Sequence, residues 1–294
     1  MNILSLKICD RRIKVDCEDS AAGALIRANY ADLEANFATA DLNYTIGREQ
    51  DSGDFYIHRG KRESLRAKVD GEFLHLFEKE ICVQLQELRR DLYFVHSAAL
   101  EYQGKACMLI GRSKSGKSTT TWALLHHGFR YLSDELAPVD PKTLHVHPYP
   151  RAVWLRRASP GAQHTGRKIQ TSWMLCIPPH EFPGGAVDKP IPLDAVFFVR
   201  HNPQSPHPSL RTVARSTAVA QILASALNPG AHSGNGLDAA IEIATRTACY
   251  QLFTADLDET CAIVKEALVG SPSNINRALS HYNGNSHQKN PIAD

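Results

Sequence analysis

Three absences narrow what this sequence can encode. No apolar run approaches the roughly 18 residues that a membrane-spanning helix needs. The formal net charge is only +2, so the charge balance calls for neither nucleic acid nor a membrane surface as partner. No two of the seven cysteines (Cys9, Cys17, Cys82, Cys107, Cys176, Cys249, Cys261) stand at CxxC spacing, which argues against a disulfide framework and a zinc site. Free thiols in a reducing cytosol are expected. Internal repeats are also lacking. The opening MNILSLKICDRR has too short an apolar region, and charges on the wrong side, for a secretory signal, so a cytoplasmic location is expected.

What is present is an ordinary globular composition, 43% hydrophobic and 22% charged, in a chain long enough for one large or two small domains. Residues 1–90 read as a small strand-rich region with weak helices. LNYTI and DFYIHRG are β-like, and the alternation in GEFLHLFE predicts a half-buried strand. EKEICVQLQELRRD sets Ile81, Leu85 and Leu88 on one helical face. LYFVHSAALEYQGKACMLIG then reads as two strands around a turn at Gln103–Gly104. From 105 to 135 the pattern is strand, loop, helix, strand, with KSTTTWALLHH as the helix and Gly128 as its stop. Residues 141–190, rich in Pro, His and Gly, predict exposed loops around the strand RAVWLR. LDAVFFVR is a buried strand, a helix follows near 215–227, and NPGAHSGNG is expected to be mobile. LDAAIEIATRTA, CYQLFT and LDETCAIVKEAL predict helix, strand and helix. The polar tail 271–294 is expected to be disordered. Strands alternating with helices predict an α/β fold, a sheet with flanking helices.

The chemistry is densest in GRSKSGKSTT. Gly111, Gly116, Lys117 and Ser118 satisfy G-x-x-x-x-G-K-[ST], a match expected by chance in about one such chain in a hundred. A predicted strand precedes the loop and a predicted helix follows it, which is the context the motif requires. The stretch Gly111, Arg112, Ser113, Lys114, Ser115, Gly116, Lys117, Ser118 and Thr119 is therefore the candidate nucleotide site. Backbone N–H groups and the helix dipole favour phosphate there, and glycine permits tight turning and close approach. The Lys117 ammonium would reach the β- and γ-phosphates of ATP and the Ser118 hydroxyl would ligate Mg²⁺.

Phosphoryl transfer also needs a carboxylate for the metal and a base or positioner for the acceptor. YLSDELAPV supplies Asp134 and Glu135 at the end of the next predicted strand. A helix of about 11 residues returns the chain roughly 16 Å, matching a strand of about five residues. If the two strands run the same way, a right-handed crossover brings these acids to the loop's edge of the sheet. Adjacent strand residues point to opposite faces, so the two acids should differ in role. His96, in YFVHSAAL, stands just before the strand pair leading to the loop.

VHSAAL…GKACMLIGRSKSGKSTTTWALLHHGFRYLSDELAPV resembles the catalytic domain of the bacterial HPr kinase/phosphorylase family, and more closely the HPr-kinase-related proteins found beside peptide-modifying gene clusters, lasso-peptide clusters among them. The resemblance is specific over roughly 92–156, looser in LDAVFFV and CYQLFTADLDET, and weak before residue 90. It implies an HPr-kinase/PEP-carboxykinase-like core over 91–270, with 1–90 left for acceptor or partner recognition. It implies that Lys117 and Ser118 hold the triphosphate and Mg²⁺, that Asp134 is the general base on the acceptor hydroxyl, and that Glu135 assists the metal. His96 is implied to lie near the base and tune its charge state. YPRAVWLR falls where relatives carry PR-x-x-x-L, which implies that Arg151 faces nucleotide or acceptor; without the resemblance it reads as a surface arginine.

Three departures from the family pattern stand out. Lys114 replaces an internal loop glycine, Glu135 replaces a second aspartate, and the E-x-R-G-x-G segment that accompanies phosphorylase activity has no counterpart. The last favours a plain kinase. The expected function is an ATP- and Mg²⁺-dependent kinase acting on a hydroxyl, a serine of a protein or ribosomally made peptide. A small-molecule kinase and a nucleotide-binding regulatory module without transfer stand as alternatives. The family's members assemble as oligomers, so the resemblance allows a homo-oligomer.

Overall fold

The computed structural model describes residues 2–60, 64–156, 169–170 and 174–270. The tail 271–294, and part of the loop-rich stretch 141–190, lie outside the described residues. The chain opens with β1 (Asn2–Ile8) and β2 (Arg11–Cys17), an antiparallel hairpin turned by Cys9 and Asp10, both at positive φ. Two left-handed residues in a two-residue loop match the twist of the strands they join. Helix α1 (Ser20–Asn29) begins where the Asp19 carboxylate accepts the Ala22 N–H, satisfying one of the free donors of the first turn. Strands β3 (Leu42–Arg48), β4 (Phe55–His58) and β5 (Leu65–Ala67) complete a five-stranded sheet in the order β1-β2-β3-β4-β5.

Helix α2 (Asp70–Leu88) corrects the strand expected at GEFLHLFE. Phe73, Leu74, Phe77, Ile81 and Leu85 are all buried while His75 is exposed, a helical stripe rather than an alternation. In a strand, Leu74 would lie on the face opposite Phe73. The two phenylalanines four apart satisfy both periods, and burial of Leu74 beside them decides for the helix.

Further on lie β6 (Tyr93–Val95), β7 (Ala98–Tyr102), β8 (Lys105–Ile110), α3 (Lys117–His126), β9 (Arg130–Ser133), β10 (Ala137–Val139) and β11 (His145–Val146). Strands β12 (Val153–Arg156), β13 (Ile169–Gln170) and β14 (Met174–Ile177) form a small separate sheet. The chain then runs through β15 (Ile191–His201), β16 (Ser209–Thr212), α4 (Arg215–Ala224), α5 (Leu237–Arg246), β17 (Ala248–Thr254) and α6 (Leu257–Val269). The large sheet has the order β6-β10-β11-β15-β8-β7-β9, with β17 on β15 and β16 on β17. Its parallel pairings are β15 with β8 and β15 with β17. The whole is a mixed α/β fold.

Period-two burial on both faces of the central strands explains the layers. Cys107 and Leu109 of β8 join Phe197 and Val199 of β15 beneath α3 and α6, packed with Trp122, Leu124, Val264 and Leu268. The alternate residues Met108, Ile110, Val196 and Phe198 face α4 and α5 through Ala218, Ile222, Ala240 and Ile243. A third core fills the first sheet and extends past residue 90 to Phe94, Leu136, Tyr149 and Ala152.

NPGAHSGNG, expected to be mobile, is instead folded into a short 3₁₀ turn (Pro229–Ala231) and a second turn with Gly234 and Asn235 left-handed, and is tied down. The Asn228 side chain accepts from Phe94 N–H at 2.9 Å and donates to the Leu92 carbonyl at 2.9 Å. A side chain with both a donor and an acceptor can pair with the backbone of β6 on its own, a signal that composition hides.

Candidate active site

The carboxyl ends of the parallel strands frame the site. Ile110 of β8 pairs with Phe198, and His201 of β15 with Thr254 of β17, so loop 111–116 leaves the sheet beside the ends of two other strands. Such an edge is where open α/β sheets bind ligands. At Gly111 a Cβ would collide with Ser115 Oγ and come within 3.1 Å of the Val199 carbonyl. Gly116 stands at φ 92° as the N-cap of α3, a conformation that costs a side chain about 1–2 kcal/mol. The Ser115 N–H closes a turn onto the Arg112 carbonyl at 3.0 Å. Lys114 is left-handed as well, at φ 68°, a conformation that glycine adopts without a side-chain cost. Arg112, Ser113 and Lys114 are exposed; Ser118 and Thr119 are half-buried in the first turn of α3. The first N–H groups of that ten-residue helix have no intrahelical acceptor, and the dipole makes its start attractive to anions.

Lys117 is buried, and its ammonium lies 3.3 Å from His96 Nε2 and 3.9 Å from Glu135 Oε2. His96 Nδ1 is 3.2 Å from Glu135 Oε1, so histidine, lysine and glutamate form one connected group. Burial, then the Lys117 charge, holds the imidazole below its ordinary value. Burial also lowers the Lys117 ammonium, against the pull of Glu135 and Asp134. For Glu135 burial acts to raise the carboxyl, but Lys117, Arg151, His96 and His75 together outweigh it and hold it below its ordinary value.

Asp134 sits in another environment. Strand β9 runs in the same direction as β8, each being antiparallel to β7 between them, so both acids arrive at the loop's edge of the sheet. Asp134 is only 2% exposed; Tyr131 OH donates to its Oδ1 at 3.3 Å, and Arg151 NH2 is 3.2 Å from the same oxygen. Burial pushes its carboxyl up, with Arg151 opposing the shift. Arg151, also 2% exposed, is not a surface residue. Its Nε donates to Glu78 Oε1 of α2 at 2.8 Å, its NH1 donates to the Ala152 carbonyl at 2.6 Å, and its guanidinium lies over Trp154. Tyr149 donates to Glu78 Oε1 at 2.9 Å, and Tyr30 to Glu78 Oε2.

The fold thus brings His96, Lys117 and Glu135 into contact, and Asp134 within the same cluster. The contacts of His96 run to Glu135 and Lys117, with none to Asp134 among the described residues. Sequence reasoning missed Glu78 and the pair His201 and Thr254. A Cβ on Gly116 would lie 3.4 Å from Thr254 Oγ1 and 3.6 Å from His201 Cβ. Both end strands read correctly from the sequence, and the convergence of parallel-strand ends on a ligand edge was the available signal.

The residues fit a nucleotide with magnesium in three respects: a glycine cradle that side chains would fill, an open helix start, and a lysine beside a carboxylate. Among the described residues no group of three His, Cys, Asp or Glu could hold a metal by itself; nucleotide-bound magnesium takes one or two protein ligands and phosphates. No helix among the described residues is long and apolar enough to cross a membrane.

No family model and no curated protein matches the chain. Among solved structures it is similar to the Hpr(Ser) kinase/phosphatase from Coxiella burnetii, at 8% identity and a TM-score of 0.33, over 66% of this chain and 99% of that one. A likeness of that size carries no weight on activity.

Proposed function

We propose that the chain transfers the γ-phosphoryl group of ATP to a hydroxyl, a serine of a protein or ribosomally made peptide. The observation that carries the reading is the placement of Lys117, one residue after left-handed Gly116, with its ammonium beside both Glu135 and His96. Mg²⁺, when bound, would supply positive charge against that developing on the transferring group. In this reading Ser118 and Glu135 hold the metal and Lys117 the outer phosphates. Asp134 takes the acceptor's proton. Its Oδ1 is occupied by Tyr131 and Arg151, whereas Oδ2 has no hydrogen-bond partner among the described residues. Its raised carboxyl is closer to the operating pH, which favours a base. The acceptor class rests on the sequence resemblance alone.

A second reading, nucleotide binding without transfer, is favoured by one observation: Asp134 is 2% exposed, which narrows the approach of an acceptor. Incubation with γ-labelled ATP, Mg²⁺, serine peptides and small hydroxyl metabolites separates the two. Label is expected on a peptide. Heat stabilisation by ATP with no label on any acceptor supports the second reading, label on a metabolite moves the acceptor class, and absence of any ATP effect overturns both.

A further inference from the structure

Beneath the site lies a set of buried charged and polar groups that ties Asp134 to the region before residue 90. It runs from α2 to the end of β9: Glu78 to Arg151 at 2.8 Å, then Arg151 to Asp134 at 3.2 Å. All three side chains are almost fully buried. Glu78 is 73 residues from Arg151 in sequence and belongs to the region before residue 90. Both of its carboxylate oxygens are engaged: Oε1 accepts from Arg151 and Tyr149, Oε2 from Tyr30, and the Cys82 thiol donates to Oε1 at 3.6 Å. The donors are kept protonated. Burial, then the neighbouring Glu78, pushes the Tyr30 hydroxyl and the Cys82 thiol up; Tyr149 is pushed up by burial, Cys82 and Glu78.

Arginine is a planar fork, and three of its edges are taken here: Nε by Glu78, NH1 by the Ala152 carbonyl, NH2 by Asp134. With its face over Trp154, the guanidinium has one orientation that satisfies all four contacts. Rotation toward the loop would leave Glu78 buried without its cation, a costly state. Glu78 therefore sets the angle at which the arginine meets Asp134, and with it where the second oxygen of that aspartate points.

We infer that Glu78, from the N-terminal region, is a positioning residue for transfer: it holds Arg151, which in turn holds Asp134. The inference rests on the reading of Asp134 as the acceptor's base. It gives residues 1–90 a share in catalysis that is distinct from acceptor recognition.

The test uses the full chain and four variants: Glu78→Gln, Glu78→Asp, Arg151→Met and the double substitution Glu78→Gln/Arg151→Met. Glu78→Gln is expected to lower kcat about 10-fold or more while KM for ATP stays within about twofold, since nothing at the loop is touched. Glu78→Asp keeps the charge and should recover part of the rate. In the Arg151→Met background Glu78→Gln should cost nothing further, because neighbours acting as a unit are not additive. Glu87→Gln, exposed on the same helix, serves as the unchanged control. An equal kcat penalty in both backgrounds, or a kcat within about twofold of wild type for Glu78→Gln, overturns the inference. A crystal structure of Glu78→Gln decides the geometry without activity: the 3.2 Å contact between Arg151 and Asp134 is expected to open past about 4 Å, and its retention overturns the inference. A wild-type protein that transfers no phosphate removes the kinase reading, and the crystal structure then still decides whether Glu78 sets Arg151.

Discussion

On one side of the end of β9, Asp134 meets Tyr131, Arg151 and, through the arginine, Glu78 of α2. On the other, Glu135 meets Lys117 and His96 and keeps a side chain 44% exposed. Two consecutive carboxylates therefore experience opposite environments. Burial raises the first; for the second, partial desolvation is outweighed by Lys117 and Arg151 with the neighbouring histidines, and the carboxyl is lowered. The bend that follows β9 turns the two carboxylates apart, leaving Asp134 dry and held and Glu135 wetter.

The largest effect should come from the dry side. Arg151→Met leaves Glu78 and Asp134 buried without their cation and is expected to cost about 3–5 kcal/mol of stability, read as a lower urea midpoint. A loss near zero would mean that water enters this side and that the contrast with Glu135 is illusory. Next comes chemistry. Asp134→Asn should keep ATP-dependent heat stabilisation yet lose transfer by about 10²-fold or more, and near-normal turnover would remove it from the base role. Lys117→Ala attacks the wet side. It should abolish the stabilisation by ATP, about 2.7 kcal/mol for wild type at a hundred times Kd; an unchanged melting shift would sink the phosphate-loop assignment.

A smaller and sharper pair of effects lies in the pH dependence of stability. The folded value of Glu135 is depressed, so its contribution is fully present above its ordinary value of 4.5 and fades as the pH falls through the folded value. Asp134 is raised, so its contribution is greatest below 3.8 and declines as the pH rises from there through the folded value. Glu135→Gln should therefore flatten the acid loss of stability, and Asp134→Asn should remove a decline at higher pH. Denaturant titrations from pH 3 upward measure both; slopes of the same sign would show that the two sites share one environment. The least effect is expected at Lys114→Gly. It releases the left-handed cost of about 1–2 kcal/mol but adds unfolded-chain freedom worth about 0.4–1 kcal/mol, for a net gain between zero and about 1.6 kcal/mol.

Much of this architecture was legible in the sequence because its signals are local. The strand and helix on either side of the loop motif, the turn at Gln103–Gly104, the helix stop at Gly128 and the buried runs of β8 and β15 each declare themselves within about ten residues, and each of these elements is present. The start of α2 was misread because Phe73 and Phe77 fit either period. That error hid Glu78, which sits at the junction of the expected strand and helix and whose partners Tyr30 and Arg151 lie 48 and 73 positions away. The direction of Arg151 was equally hidden, since a basic residue after two prolines reads as exposed until the distant acids that neutralise it are known. The tether of Asn228 to Leu92 and Phe94 follows the same rule: one amide with two backbone partners leaves no trace in periodicity.

Strand β15 has a consequence for how the molecule is made. It is hydrogen-bonded to β11, β8 and β17, and the loop after β8 abuts Val199, His201 and Thr254. During synthesis the loop emerges well before the strands that support it. Until Thr254 has left the ribosome, the site is a glycine-rich tether on an incomplete sheet whose apolar faces await β15 and β17. Long-range closure of this kind is slow, and it places the interval of greatest exposure to misassociation late in translation, after the binding motif itself has long been complete.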